Sequence, residues 1–361
     1  MVGAICMEKV VIESVEIERF RGIRKTAKPI ELNKLTVIIG RNDSGKTTLL
    51  ESIYVLSSKK MIPPGLYPDA LFREAHKLHN YRYLLYNYDT TSNIILKYTL
   101  HINDKYIIKH KILTYMDDLA RILVNRYYLY PIYSKAGEIK NFRIDTTYRS
   151  DRAIPISSII ILCNEYFMNS LDNYIFKNWD VIESKGLHKR IVEKYINPSL
   201  PEKIYTELTQ RPDGIAIRKE IVIDKEVIPK YIRVKDLGDG IYRTLMNVLY
   251  IEFVNPSIIL WDDFGSYMHP SLIENTLKYI VNSVATAKKQ YIITTHSIDT
   301  LYYLHKVIEE TSNFDPNWLS LLVLYKDKAD ILDYELVDYS GFDDLMSSGI
   351  DPRLLARKLS I

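Results

Sequence analysis

The feature that most constrains this chain is a glycine-rich octapeptide at residues 40–47, set between two apolar segments. An apolar run at residues 35–39 precedes it and predicts a buried strand. Apolar residues then recur at the spacing of one helix face, at Leu49, Leu50, Ile53 and Leu56. A glycine-rich loop between a strand and a helix lets backbone N–H groups surround phosphate oxygens. The sequence therefore predicts a site for a nucleoside triphosphate.

The octapeptide follows the pattern Gly-x-x-x-x-Gly-Lys-Thr, in which two side chains have separate tasks. Lys46 is expected to reach the β- and γ-phosphates, and Thr47 to offer its hydroxyl to Mg²⁺. The loop N–H groups and the helix N-terminus would face the anion. The predicted nucleotide contacts are Gly40, Arg41, Asn42, Asp43, Ser44, Gly45, Lys46, Thr47 and Thr48.

Composition narrows the class of protein. The 361 residues are 47% hydrophobic and 26% charged, which is ordinary for a globular chain with a full core. A net charge of +3 is too small to indicate nucleic-acid binding by itself. Cys6 and Cys163 are too few for a disulfide framework and lack metal-site spacing. Because no signal peptide or membrane-spanning apolar run is visible, we expect a soluble, cytoplasmic protein with no membrane partner.

Strand patterns organise the rest of the chain. Val10–Phe20 predicts a strand ahead of the loop, and residues 94–102 and 106–113 predict an antiparallel hairpin. The expected organisation is an α/β nucleotide domain built from residues 1–113 and 205–361. Residues 114–204, with mixed helical patterns and frequent tyrosine, are expected to form an inserted, mainly helical subdomain.

Residues 121–152 in that insertion combine charge with aromatic character. Seven Lys or Arg residues stand against three acids there, interleaved with five tyrosines. Such a pattern can follow a nucleic-acid strand through phosphate contacts and stacking. It is also compatible with a solvated, partly packed face, which we favour, so DNA stays an open partner at this point.

The remaining candidate site residues lie between residues 237 and 297, where two apolar runs are each followed by polar side chains. Residues 257–261 predict a buried strand that runs into Asp262 and Asp263, a pair suited to holding Mg²⁺ and positioning water. A second apolar run, at residues 291–293, leads into His296. Polar residues at strand ends beside a phosphate loop lie at the ligand crevice of an open α/β sheet.

Read together, these segments resemble the ABC-type ATPase heads of the branch that contains SMC proteins, RecF-like repair proteins and OLD-family nucleases. These are P-loop NTPases, often described as AAA-family ATP-binding proteins. The resemblance covers about residues 10–60 and 205–305. The matching segments are the opening strand and turn at 17–22, the Walker A loop at 40–47, the signature position at 237–243, the Walker B strand and His-Pro loop at 262–272, and the switch-histidine motif at 294–297.

The resemblance implies an α/β fold with a mixed β-sheet and the inserted helical subdomain. It also implies hydrolysis of ATP to ADP and phosphate, with two heads enclosing ATP and Mg²⁺ in an ATP-dependent homodimer. Thr47 and Asp262 would hold the metal, Asp263 would orient or deprotonate water, and His296 would sense the γ-phosphate. Three further residues would contact nucleotide, namely Arg21, Gly238 and Gly240.

Three departures from the family pattern bear on the rate of hydrolysis. Gly238 stands where the signature usually has serine, and Asp263 is one methylene shorter than the usual glutamate. The third is the lack of a standard Q-loop, since Gln210 is the only glutamine between the phosphate loop and the signature. Slow hydrolysis is therefore expected, and an ATP-binding scaffold that gates an effector is the alternative function. A RecF-like DNA-binding clamp is a third possibility, which salt-dependent DNA binding would reveal.

Length sets a further expectation. The insertion is too short for the long coiled coils of SMC proteins, and the residues after His296 are too few for the nuclease domain of OLD-family proteins. An effector is therefore expected to act in trans, in a pathway such as DNA repair or defence.

Overall fold

The computed structural model describes residues 10–56, 66, 81–102, 105–114, 123–125, 129–132, 156–199, 205–223 and 226–355. Within these ranges the strands form one large mixed sheet and a small antiparallel sheet of β10, β11 and β12. In chain order the strands are β1 (Val10–Phe20), β2 (Ile23–Thr26), β3 (Ile30–Glu31), β4 (Leu35–Gly40), β5 (Ile94–Ile102), β6 (Lys105–Thr114), β7 (Leu123–Asn125), β8 (Leu129–Ile132), β9 (Ser158–Ile161), β10 (Tyr205–Arg211), β11 (Gly214–Ile223), β12 (Glu226–Arg233), β13 (Ile258–Trp261), β14 (Gln290–Thr294), β15 (Leu319–Lys326) and β16 (Ile331–Val337).

The helices of the same ranges pack on the large sheet or beside it. None of these helices is long and apolar enough to cross a membrane. In chain order they are α1 (Lys46–Tyr54), α2 (Glu165–Lys177), α3 (Trp179–Ser184), α4 (Leu187–Ile191), α5 (Asn197–Ser199), α6 (Asp239–Val254), α7 (Pro270–Ala287), α8 (Ile298–Glu310) and α9 (Tyr339–Ser347), with a π-helical turn, Val192–Ile196, between α4 and α5.

A parallel core carries the glycine-rich loop. Its strand order is β9-β13-β14-β4-β15, so β4 lies between two strands from the C-terminal part of the chain. Every side chain of β9, β13 and β14 is buried, as expected for parallel strands covered on both faces. α1 contacts β4, β9, β13 and β14. The loop between β4 and α1 therefore opens at the carboxyl ends of parallel strands, where α/β sheets bind ligands.

The antiparallel portion of the sheet is built on β1. This strand pairs with β2, β3 and β5, and β5 pairs with β6 in the predicted hairpin. At the start of β14, Gln290 pairs with the backbone of Ile12 in β1: its Nε2 donates to the carbonyl oxygen over 2.8 Å, and its Oε1 accepts from the amide over 2.9 Å. β1 and β14 are not neighbours in the sheet. The contact therefore holds the mixed sheet in a curl.

The segment 114–204, predicted to be a mainly helical insertion, also contains strands among its described residues. β7 and β8 pair with β6, and β9 pairs with β13 as the edge of the parallel core, so this segment contributes strands to the main sheet. The helices α2 to α5 follow β9 and are the helical part of the segment. The boundaries at 114 and 204 stay a prediction. The basic, tyrosine-rich stretch 121–152 lies outside the described residues apart from the backbones of β7 and β8.

Candidate nucleotide-binding site

The loop between β4 and α1 requires glycine at Gly40 and at Gly45, for different reasons. A Cβ on Gly40 would lie 2.5 Å from the Leu324 carbonyl oxygen and 2.6 Å from Ser44 Oγ, so no side chain fits. Gly45 has φ +91° and stands as the N-terminal cap of α1, in a backbone conformation that L side chains rarely adopt. The side chains of Arg41, Asn42 and Asp43 are exposed at the loop tip, whereas that of Ser44 is buried.

Lys46 is a buried cation inside this loop. Its Nζ donates to the carbonyl oxygens of Gly40 and Arg41 over 3.0 and 2.8 Å, and lies 3.4 Å from Ser44 Oγ. Burial lowers the pKa of its ammonium to about 8, against the opposing influence of Asp262 and Asp263. A cation desolvated among loop oxygens is well placed to meet a phosphate. The loop therefore fits the triphosphate that the sequence predicts.

Asp262 joins three elements at the floor of the site. Its Oδ2 accepts a hydrogen bond from Thr47 Oγ1 in α1 over 2.9 Å, and its Oδ1 accepts one from Thr294 Oγ1 at the end of β14 over 2.7 Å. Burial raises the pKa of this carboxyl, and the two hydroxyl donors oppose that shift. A carboxylate beside a threonine hydroxyl is an oxygen donor set that suits Mg²⁺. The residues present therefore fit the predicted metal.

Asp263 follows Asp262 in a left-handed backbone conformation with φ +52°. Its amide donates to Thr294 Oγ1 over 2.8 Å, so the same threonine fixes both acids. Aspartate and asparagine tolerate the left-handed region better than most side chains do. The shorter acid at this position is thus compatible with the local backbone.

His296 lies just beyond the end of β14, and the residue is exposed. Partial desolvation of the ring, together with the positive charge of Lys46, lowers the pKa of its imidazole. The structure therefore brings this histidine within electrostatic reach of the phosphate loop. Arg353 Nη1 donates to the His296 carbonyl oxygen over 2.7 Å and ties the segment to the C-terminal part of the chain.

Arg21 lies in the turn between β1 and β2, beside α1. Its guanidinium forms an ion pair with Glu51, whose side chain is fully buried in α1. Its amide donates to the Leu84 carbonyl oxygen over 2.8 Å. The turn is thus attached to the helix that follows the phosphate loop. A direct contact between Arg21 and nucleotide stays a prediction.

The signature segment opens α6, with Gly238 as the residue before the helix. Gly238 has φ +101°, and no described atom lies within 4 Å of where its Cβ would be. Gly240 differs, because a Cβ there would lie 2.2 Å from the carbonyl oxygen of Tyr267. Glycine at this position is therefore needed for packing within its own subunit. A contact between Gly240 and nucleotide stays a prediction.

Two residues of the site were not singled out from the sequence. Thr294 stands in the switch-histidine motif, but its bonds to both Walker B acids depend on β13 and β14 being neighbours. Lys326 Nζ lies 3.1 Å from the Gly22 carbonyl oxygen and 3.4 Å from Asp43 Oδ2, and so links the first turn to the phosphate loop. A strand-end threonine is a weak signal for such a role. Nothing in the pattern around Lys326 indicates its contacts.

Comparison with known proteins agrees with this geometry. A family model described as an AAA domain, with the AbiEii toxin of type IV toxin–antitoxin systems in its description, matches residues 35–301. A Helicobacter pylori protein named "ATP/GTP phosphatase" is 23% identical over 347 residues, covering 83% of this chain and 89% of that protein.

Two solved SMC head structures share the fold. The SMC head bound to the C-terminal winged-helix domain of ScpA has a TM-score of 0.55 at 13% identity, covering 91% of this chain and 97% of that one. The Pyrococcus furiosus head with an extended coiled coil, bound to the C-terminal domain of ScpA, has a TM-score of 0.53 at 12% identity, covering 94% and 99%. The mixed α/β fold predicted from the sequence is confirmed.

Proposed function

Since the chain belongs to this AAA domain family and is an ATPase, we propose that it works as an ATP-driven switch. In this proposal two copies associate head to head around ATP and Mg²⁺, and the association controls a partner protein that acts in trans. The location would be cytoplasmic. The observation that carries the proposal is the polar cluster of Lys46, Thr47, Asp262, Asp263 and Thr294, gathered at the carboxyl ends of β4, β13 and β14.

Each residue of this cluster has a task in phosphoryl transfer. Mg²⁺, when bound, would neutralise charge on the phosphates, and Thr47 with Asp262 would hold it. Lys46 places its ammonium against the transferred group and replaces water around it. Asp263 is the residue that orients or deprotonates the attacking water, and His296 completes the site beside the γ-phosphate. Catalysis in this scheme is positioning and charge neutralisation rather than covalent chemistry.

The head-to-head arrangement is supported by the start of α6. Among the described residues no side chain caps its N-terminus, which carries the positive end of a 16-residue helix dipole and so favours a phosphate. The open space at Gly238 leaves this end accessible to a second copy. A partner protein is supported by the two SMC heads of similar fold, each of which was solved with a domain of ScpA.

Two measurements test the proposal. Wild-type protein should release phosphate over many turnovers and should shift from monomer to dimer on light scattering when ATP and Mg²⁺ are added. Lys46→Ala should do neither, while its thermal unfolding stays cooperative. If wild type dimerises with ATP but releases phosphate no faster than Lys46→Ala, the chain is an ATP-binding scaffold. If ATP produces no dimer, the switch proposal is wrong.

A DNA-binding clamp remains a second form of the proposal, and the basic, tyrosine-rich stretch at residues 121–152 is the observation that favours it. Its test is direct. Binding to duplex DNA should weaken steeply as salt rises if Lys and Arg contact phosphates. Absence of salt-dependent binding would remove DNA from the list of partners.

A further inference from the structure

A second polar cavity lies at the far end of the parallel core from the phosphate loop. It has a volume of about 500 Å³ and is lined by the C-terminal half of α7, the last turn of α6, the π-helical turn and Lys289. β14 begins immediately after Lys289 and ends at Thr294 beside the Walker B acids. The cavity and the nucleotide site therefore lie at opposite ends of the same strand. Its volume is in the usual range for small-molecule pockets.

Lys289 is the unusual member of this lining. The residue is only 7% exposed, and within the described part of the chain its ammonium has no hydrogen-bond or ion-pair partner. Burial lowers the pKa of Lys289, with Glu252 opposing the shift. A desolvated cation without a counter-charge is costly. The cavity is where that counter-charge can be supplied.

Glu252 is the nearby carboxylate, but it forms no direct ion pair with Lys289, and its two oxygens have other partners. Oε1 accepts from the Tyr279 hydroxyl over 2.7 Å, and Oε2 lies 3.5 Å from Arg190. Of the other cations lining the cavity, Lys278 is paired with Glu274 over 2.9 Å, whereas Lys194 has no partner among the described residues. The lining thus holds an excess of positive charge.

A helix-capping role does not account for Lys289 either. Cations are favourable near a helix C-terminus, and Lys288 already provides one as the exposed cap of α7. Lys289 instead lines the cavity. The two adjacent lysines therefore form a natural pair, one buried at the cavity and one exposed outside it.

We propose that this cavity binds a small phosphorylated ligand whose phosphate is held by Lys289 and Lys194. Lysine acts as a point charge toward phosphate. The rest of the lining offers amides and hydroxyls, including Asn255, Asn282 and Ser283, so the remainder of the ligand is polar. The site does not depend on head-to-head association.

Calorimetric titration of the full chain with pyrophosphate tests this assignment. The titration uses the Lys46→Ala background, so that the phosphate loop does not take up the probe. We expect one saturable site, at least about tenfold weaker binding in Lys289→Met, and unchanged binding in the matched control Lys288→Met. Lys194→Met, an exposed change, provides a second weakening variant if Lys289→Met fails to fold.

Any of three results would overturn the assignment. The first is the lack of saturable binding up to about 10 mM pyrophosphate, and the second is equal binding by Lys289→Met and Lys288→Met. The third is binding of a single-stranded oligonucleotide that depends on Lys289 while pyrophosphate does not bind. That pattern would make the cavity part of a nucleic-acid surface.

Discussion

Lys46 is a cation whose ammonium donates hydrogen bonds to oxygens of its own loop, and its pKa sets how ATP binding should respond to pH. Because burial lowers its pKa to about 8, the ammonium is charged below that pH and becomes neutral above it. The unfolded chain keeps this proton up to the ordinary lysine pKa of about 10.5. Between the two values the unfolded state binds more protons, so the ligand-free fold gains stability as pH rises.

ATP affinity should follow the opposite course. Above pH 8 the protein must take up a proton to pair Lys46 with phosphate, so the dissociation constant should rise toward about tenfold per pH unit. His296 does not interfere, since its lowered pKa lies below this window. Calorimetry from pH 7 to 9.5 measures the slope. Lys46→Met should show weak binding without that slope, and a flat wild-type profile would contradict the assigned role.

Replacing each of the two Walker B acids by asparagine should have a different effect, one on turnover and the other on binding. Asp263→Asn suits the left-handed backbone and removes only the base, so turnover should fall by roughly 10²- to 10⁴-fold while ATP binding survives. Asp262→Asn should weaken binding of Mg²⁺ and ATP itself, because Asp262 is the partly buried carboxylate that accepts a hydrogen bond from Thr47.

Single-turnover hydrolysis and equilibrium ATP binding, measured on both variants, test these two roles. Equal phosphate release by wild type and Asp263→Asn would identify Asp263 as a structural strand-end acid.

At the scale of elements, the end of β14 holds the end of β13 in place through one hydroxyl. Thr294 donates to Asp262 and accepts from the Asp263 amide. Thr294→Val keeps the shape but removes the partner of two partly buried polar groups, so the free energy of unfolding should fall by about 1–3 kcal/mol. ATP affinity in the presence of Mg²⁺ should fall too. Thr294→Ser, which keeps the hydroxyl, should stay near wild type in both denaturant and ATP titrations.

The start of α6 offers a second test at this scale. Alanine normally stabilises a helix relative to glycine by about 1 kcal/mol. At Gly240 the sign should reverse, with a loss of ~1–3 kcal/mol, because a Cβ would meet the Tyr267 carbonyl oxygen. Gly341→Ala in α9 is the control and should change stability by less than about 1 kcal/mol. Chemical denaturation compares the two; a stabilised Gly240→Ala would refute the packing role.

The elements around the phosphate loop could be predicted because their signals are local. The apolar run of β4, the glycine-rich loop and the paired acids after β13 lie in continuous sequence, so pattern and chemistry coincide. The position of β9 in the sheet could not be predicted from local sequence. Its four buried residues, Ser158–Ile161, read as a strand, but its place beside β13 depends on contacts across the chain. The same holds for Gly240, whose constraint comes from a backbone oxygen in a different loop.

For the molecule as a whole, the surface around the start of α6 should form the contact between two heads. Tyr267 is 47% exposed there, with its ring centroid 4.7 Å from the Arg243 guanidinium. Tyr267→Ala should weaken ATP-dependent dimerisation of an Asp263→Asn protein by about tenfold or more. Tyr302→Ala, which removes an even more exposed ring from α8, should have no effect. Light scattering over a concentration series measures both, and equal dimerisation would move the interface elsewhere.

The position of β4 between β14 and β15 has a consequence for synthesis. The strand that carries the phosphate loop is completed near residue 40, but its two neighbours are residues 290–294 and 319–326. A growing chain on the ribosome therefore carries the loop for most of its synthesis without the sheet that shapes it. Such long-range pairing also folds slowly. We therefore expect the chain to bind ATP only once the C-terminal strands have emerged from the ribosome.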